Sequence, residues 1–337
     1  MYPFTTTERG VPGAVEVYAY ALRSGDRRAL RVVVDQSRAE LRACEEQRLA
    51  LAREVRPSGQ YNVARLDAYG EYTRAYVHEG EGWTRYYLRR EGARWLITEP
   101  RRDELGVRRE RAEGGVALVW WGIDDDLADE VLREAQIARS AALGLSDVGP
   151  RSPLRLVLYP TRDLGSHASC APSRIAYGVG GIESAVFDLH FEPDLARITR
   201  PTKLLLFYEA LHWIQEQRVP GALRASEWWV HEGWPFLRAY TPDRRDRARA
   251  RLLCVGALPG IERLATAPAL TRAARHRALA ASFVEYLTER WDEGAYWELL
   301  RGSVAEEPRA YERALGIGRQ AFYAEWEEWL RRTYCEQ

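Results

Sequence analysis

The sequence predicts an α+β fold in two parts, and three observations support this. Residues 13–53 place apolar and charged positions at helical spacing. Four aromatic-rich runs of alternating character follow, "QYNVARLDAYG", "EYTRAYVHE", "GWTRYYLRR" and "GARWLITEP", separated by Gly-containing turns. Beyond residue 115 a few β-rich runs give way to long helical patterns. With 337 residues, 46% of them hydrophobic, the chain can bury two cores.

In order, the first segment breaks at Ser24–Asp26 and so predicts two or three helices. The four alternating runs predict an antiparallel meander. Residues 101–114 are Arg-rich and charged, which marks a connector. "GGVALVWWG" reads as a buried strand. "DDDLADEVLREAQIARSAALG" reads as an amphipathic helix whose acids sit at the N-terminal end, where the helix dipole favours them. "LRLVLYP" is another strand, and "RIAYGVGGIESAVFDLHFEP" holds one or two more. A helix opens near Pro201 or Thr202, and from Trp228 onward the pattern is mostly helical, as in "ALAASFVEYLTERW" and "AFYAEWEEWLRRTY".

Composition removes several classes of function. The 49 basic residues balance 49 acidic ones, so the basic excess of a general nucleic-acid binder is missing. Lys203 is the only lysine. Cys44, Cys170, Cys254 and Cys335 are scattered without a C-x-x-C pair, which predicts neither a cysteine zinc site nor a disulfide framework. No run approaches about 18 apolar residues, so no membrane span is expected. "MYPFTTTERG" lacks the regions of a signal peptide. A soluble chain is expected, cytoplasmic by default and exported if a signal was removed. The sequence specifies no oligomeric state.

The chemistry concentrates in "LLLFYEALHWIQEQ", residues 204–217. In H-E-x-x-H, two histidines at i and i+4 share a helix face and reach one metal ion, and the Glu lies beside the metal-bound water. Here Glu209 and His212 hold the second and fifth positions, and Tyr208 holds the first. After nineteen intervening residues, "SEWWVHEGWPFLRAY" supplies Glu232 in a W-x-x-E-G context.

These residues resemble the gluzincin metallopeptidases, where a Glu on the next helix completes the zinc site, and more closely the peptidase-MA-like family. The resemblance continues through "ASFVEYL" (281–287) and "GIGRQAFYAEWEEWL", and it covers roughly residues 115–335. The segment "GWTRYYLRREGARWLITEP" (82–100) resembles the closing hairpin of an NTF2-like α+β cone. The implied organisation is an NTF2-like domain over 1–100, a connector over 101–114, and a gluzincin-like domain over 115–337 with a mixed sheet and a mostly helical C-terminal part.

Three departures from the family pattern cluster at the site. Tyr208 replaces the first His, and a neutral phenol, with reference pKa of about 10, ligates zinc poorly. Phe236 stands four residues after Glu232, where the family carries an acid that orients that same His. Arg277 aligns where an oxyanion-stabilising Tyr is expected. Pro235 in addition predicts a kinked or late-starting helix at a cost of about 3 kcal/mol.

Taken singly, Glu209 is a general base or a buried, hydrogen-bonded acid, and His212 is a metal ligand or a buried His paired with Glu232. Tyr208 is a cleft aromatic whose hydroxyl meets Glu232 or His212. His231 points about 100° from Glu232 and is a weak substitute ligand. His190 lines the cleft or is an ordinary strand residue. The pairs Trp120–Trp121 and Trp228–Trp229 form a binding lip or, more commonly, core.

Three readings follow. The first is a metallopeptidase-like protein with an impaired site that binds a peptide or protein partner and needs no cofactor. The second is an active zinc hydrolase with a Tyr208, His212 and Glu232 metal site. The third is a small-ligand pocket in the NTF2-like cone, unless side chains such as Tyr86 and Trp95 fill it.

Overall fold

The computed structural model describes residues 10–38, 41–42, 45–46, 49, 61–79, 82–99, 106–122, 125–147, 149–159, 186–190, 198–222, 227–240, 253–262 and 273–336. These form an α+β protein with two hydrophobic cores and two four-stranded sheets.

The first core lies between two helices and a meander. Helix α1 (Gly10–Ser24) buries Val11, Val15, Tyr18 and Leu22, a stripe at three- and four-residue spacing. Asp26 then caps α2 (Arg27–Val33) by accepting from the backbone N–H of Arg28 and Ala29. Strands β1 (Tyr61–Tyr69), β2 (Tyr72–Glu79), β3 (Gly82–Glu91) and β4 (Arg94–Thr98) pair antiparallel in sequence order. The period-two pattern turns Ala75, Val77, Tyr86, Leu88 and Ile97 toward the helices. Tyr86 meets Tyr18 edge-on with ring centroids 5.4 Å apart.

A buried carboxylate pins the end of α2 to this sheet. Asp35 accepts from Ser37 N (3.0 Å), Ser37 Oγ (2.6 Å), Arg89 Nε (3.0 Å) and Thr98 Oγ1 (3.2 Å). Burial alone would raise its carboxyl, but Arg89 and Ser37 overcome this and hold it at about 2.

The second sheet is mixed. Strand β5 (Arg108–Glu113) pairs antiparallel with β6 (Val116–Trp121), and β7 (Leu154–Tyr159) and β8 (Val186–His190) continue parallel to β6. Helix α3 (Asp125–Leu143) links β6 to β7, with Asp125 and Asp126 in its first turn as the charge pattern predicts. The predicted connector is therefore partly sheet. All of β5 is exposed, so it shows no apolar alternation and reads as a charged linker. Arg109 and Arg111 of β5 pair with Asp125 and Asp129 of α3.

Helices α4 (Arg200–Arg218), α5 (Trp228–Tyr240), α6 (Ala273–Arg290), α7 (Glu293–Val304), α8 (Ala310–Leu315) and α9 (Arg319–Leu330) complete the fold, with a π-helical turn at Arg331–Cys335. Thr199 caps α4, which starts at Arg200, one or two residues before the start expected near Pro201 or Thr202. The residues from Tyr208 to Gln215 are all buried, so this stretch of α4 is enclosed on every side rather than along one stripe. Helices α5 and α6 approach closely at Gly233, where an added Cβ would lie 2.5 Å from the Ala280 carbonyl oxygen. This contact explains the Gly of W-x-x-E-G.

The scattered cysteines indicated no disulfide framework, but Cys254 and Cys335 form one bond, which closes the C-terminal turn onto the segment before α6 across 81 residues of sequence. Connectivity over such a separation is not readable from spacing. Cys44 and Cys170 lie outside the described residues. Among the described residues, no helix is long and apolar enough to cross a membrane.

Candidate functional site

Helices α4 and α5 bring the residues singled out in the sequence into one buried cluster. Tyr208, Glu209 and His212 lie on α4 and are 3%, 4% and 4% exposed. Glu232, on α5, is 9% exposed. The four-residue spacing places Tyr208 and His212 on one face, their rings edge-on at 4.7 Å.

The Tyr208 hydroxyl donates a hydrogen bond to Glu232 Oε2. Burial, and then the Glu232 carboxylate, push this phenol well above its ordinary pKa. Glu209 adds negative charge in the same direction. Glu232 would itself be raised by burial, yet His231, His212 and Arg277 together hold it down at about 2. Its Oε1 lies 3.6 Å from His231 Nε2, and its Oε2 lies 3.9 Å from Arg277 Nε. Arg277 thus reaches the carboxylate of the cluster.

His212 makes a different bond from the one expected. Its Nδ1 pairs with Gln215 Oε1 at 2.8 Å, not with Glu232. Burial lowers its pKa to about 4, with Glu232 only partly offsetting the effect, so the ring is neutral at pH 7. Gln215 and Tyr296 are the residues sequence reasoning missed. Gln215 lies three residues after His212, a spacing at which helical side chains meet. No spacing signals Tyr296, which arrives from α7.

Pro235 sits inside α5, so the helix neither starts late nor ends there. A proline lacks the N–H that would bond the carbonyl four residues back, which is that of His231. Gln215 Nε2 fills the vacancy, donating to His231 O at 2.8 Å. The same nitrogen donates to Tyr296 Oη at 2.6 Å, and Tyr296 donates to Val230 O at 3.0 Å.

Phe236 stacks on Tyr240 at 5.1 Å, and Tyr240 meets Tyr208 edge-on at 5.6 Å. Tyr208 and Phe236 are therefore joined through one aromatic ring, that of Tyr240. Trp229 is core, stacked on Phe283 at 4.6 Å, and Trp120 is buried with it in the second core. His276 is buried. His78 and His190 lie on β2 and β8, and His167 falls outside the described residues.

The donor set does not suit zinc. A catalytic zinc site needs three protein ligands, with a tyrosine taking part only as phenolate. Here the phenol keeps its proton and directs it at Glu232, which occupies two of the three candidate donors with each other. Among the described residues, no three His, Cys, Asp or Glu side chains are grouped to hold a metal ion.

Tyr86 is buried in the first core, and Trp95 packs partly buried against it. A cavity of about 460 Å³ lies beside α2, lined by Leu30, Val34 and Gln36 and by the charged Arg31, Arg42, Glu45 and Glu46. Glu45 accepts from Tyr18 Oη at 2.6 Å, and Glu46 pairs with Arg27.

Comparison with protein-family models finds no match to this chain, and comparison with curated proteins finds none either.

Proposed function

We propose that the chain is a metallopeptidase-like protein, an NTF2-like domain followed by a peptidase-MA-like domain, whose hydrolytic site is degenerate. Its role in this reading is to bind a peptide or protein segment in the cleft that the ancestral site occupied. The observation that carries the reading is the hydrogen bond from Tyr208 to Glu232. A ligand position has become a donor, and it consumes the neighbouring ligand. The aromatic path from Tyr208 through Tyr240 to Phe236 gives further support, since an acid at position 236 has no imidazole left to orient.

Metal analysis of protein purified without chelators, together with peptide cleavage assays, tests the proposal. The expected result is zinc well below one equivalent and no cleavage that depends on Glu209. Stoichiometric tight zinc with cleavage abolished by Glu209→Gln would overturn it. Tyr208→His is expected to raise zinc affinity while giving little cleavage. Adding Phe236→Glu is expected to raise cleavage further. Full activity from Tyr208→His alone would show that the two changes are not coupled.

A further inference from the structure

We infer that Gln215 is a positioning residue that fixes the tautomer of His212, so that the ring carries its proton on Nδ1 and leaves Nε2 as a bare acceptor. The inference rests on reading this cluster as a binding site only for its functional meaning. The geometry stands independently of that reading.

The assignment follows from two carbonyls, which can only accept. Val230 O is bonded to Tyr296 Oη at 3.0 Å, so the Tyr296 hydroxyl is the donor there. Its proton is thereby used, and the oxygen has only lone pairs to offer Gln215, 2.6 Å away. Gln215 must then face Tyr296 with its NH₂ group. His231 O, 2.8 Å from the same nitrogen, imposes that orientation a second time. The amide oxygen is left facing His212 Nδ1 at 2.8 Å, and an oxygen in that position requires an N–H.

Gln215 and Tyr296 are fully buried and His212 nearly so, which removes water as an alternative partner for this chain of bonds. The chain starts at Pro235, because that proline releases the His231 carbonyl. The sequence "HEGWP" thus reaches across two helices to set a proton on one ring nitrogen. Among the described residues no hydrogen bond engages His212 Nε2. A ligand that meets the ring there does so with an N–H or O–H donor, such as the backbone amide of an extended peptide, and not with a bare carboxylate oxygen.

The test is long-range ¹H–¹⁵N correlation on histidine-labelled full-length protein at neutral pH, with the His212 signals assigned by comparison with His212→Gln. The expected wild-type pattern is a single Nδ1–H tautomer. Gln215→Leu is expected to lose that single state. Gln215→Glu keeps an acceptor opposite Nδ1 and is expected to retain it; loss in Gln215→Leu with retention in Gln215→Glu is the contrast that a purely packing role for Gln215 would not produce. An Nε2–H tautomer in the wild type would overturn the inference, as would an unchanged Nδ1–H tautomer in folded Gln215→Leu. If Gln215→Leu fails to fold, the wild-type and Gln215→Glu spectra decide. Failure of peptides to bind would overturn the proposed function and leave this measurement unaffected.

Discussion

Asp35 in the first core and Glu232 in the second are both buried carboxylates held at about 2, but by different means. Asp35 takes four hydrogen bonds, from Ser37, Arg89 and Thr98, all at 3.2 Å or less. Glu232 takes one from Tyr208, and His231 and Arg277 stand off at 3.6 and 3.9 Å. The first arrangement ties a helix end to a sheet and leaves no acceptor capacity for anything else. The second places a guanidinium near a carboxylate without closing on it. Shifts of the same direction therefore arise in different ways: Asp35 is saturated by hydrogen bonds, whereas Glu232 is bonded once and stands near Arg277.

The largest effect expected from this difference is at Asp35. Asp35→Ala leaves Arg89 only Glu91 as a carboxylate partner and removes the acceptor of Thr98. It is expected to cost about 3–5 kcal/mol in denaturant unfolding, the range for breaking a buried ion pair from one side. A loss below about 1 kcal/mol, within the range of surface substitutions, would dissolve the distinction drawn here.

Acid separates the two regions next. His212 has a folded pKa of about 4 against 6.5 in the unfolded chain. The unfolded state takes up the proton first, so stability falls as pH drops from 6.5 to 4, by about 3 kcal/mol in all. Asp35 and Glu232 are depressed from 3.8 and 4.5, so the stability they contribute is present above those values and is lost toward pH 2. Thermal unfolding across pH 7 to 4 is expected to show the second core weakening before the first. His212→Gln is expected to flatten that slope. An unchanged slope in His212→Gln would assign the loss to other groups.

The next effect is at the helix crossing. Gly233→Ala pushes a methyl into the Ala280 carbonyl of α6 and is expected to cost about 1–3 kcal/mol as overpacking, with α5 displaced from α6. A neutral result would show that the close approach at Gly233 is not what positions Glu232.

How much of this was legible in the sequence varies residue by residue. The meander was legible because Ala75 and Val77, and Tyr86 and Leu88, recur at two-residue spacing, and one shared buried face imposes that period. The shared face of Tyr208 and His212 was legible from their four-residue spacing, whereas their meeting with Glu232 on the next helix was expected only from the family resemblance. Strand β5 was not legible, since an exposed edge needs no apolar pattern. The Cys254–Cys335 bond and the Gln215–Tyr296 bond depend on partners 81 residues away in each case, and no local period encodes such pairs. Pro235 was legible as a break in α5, but its consequence was not. The freed carbonyl is filled by a side chain from another helix, so the helix continues.

The smallest effect tests whether the two halves of the site are independent. Tyr208→Phe removes the one hydrogen bond that closes on Glu232 while keeping the ring that packs against Tyr240. A hydrogen bond to a charged group contributes about 1.5–3 kcal/mol, and the lower end is expected here because His231 and Arg277 remain beside the carboxylate. His212 is held from the other side by Gln215, so its tautomer is expected to stay unchanged in Tyr208→Phe. A changed tautomer would mean that the phenol and the imidazole form one network. A loss well above 3 kcal/mol would mean that Glu232 depends on Tyr208 much as Asp35 depends on Arg89. In either case the Tyr208–Glu232 pair would be a structural tie, and its resemblance to a metal site would carry less weight than the bond that replaced it.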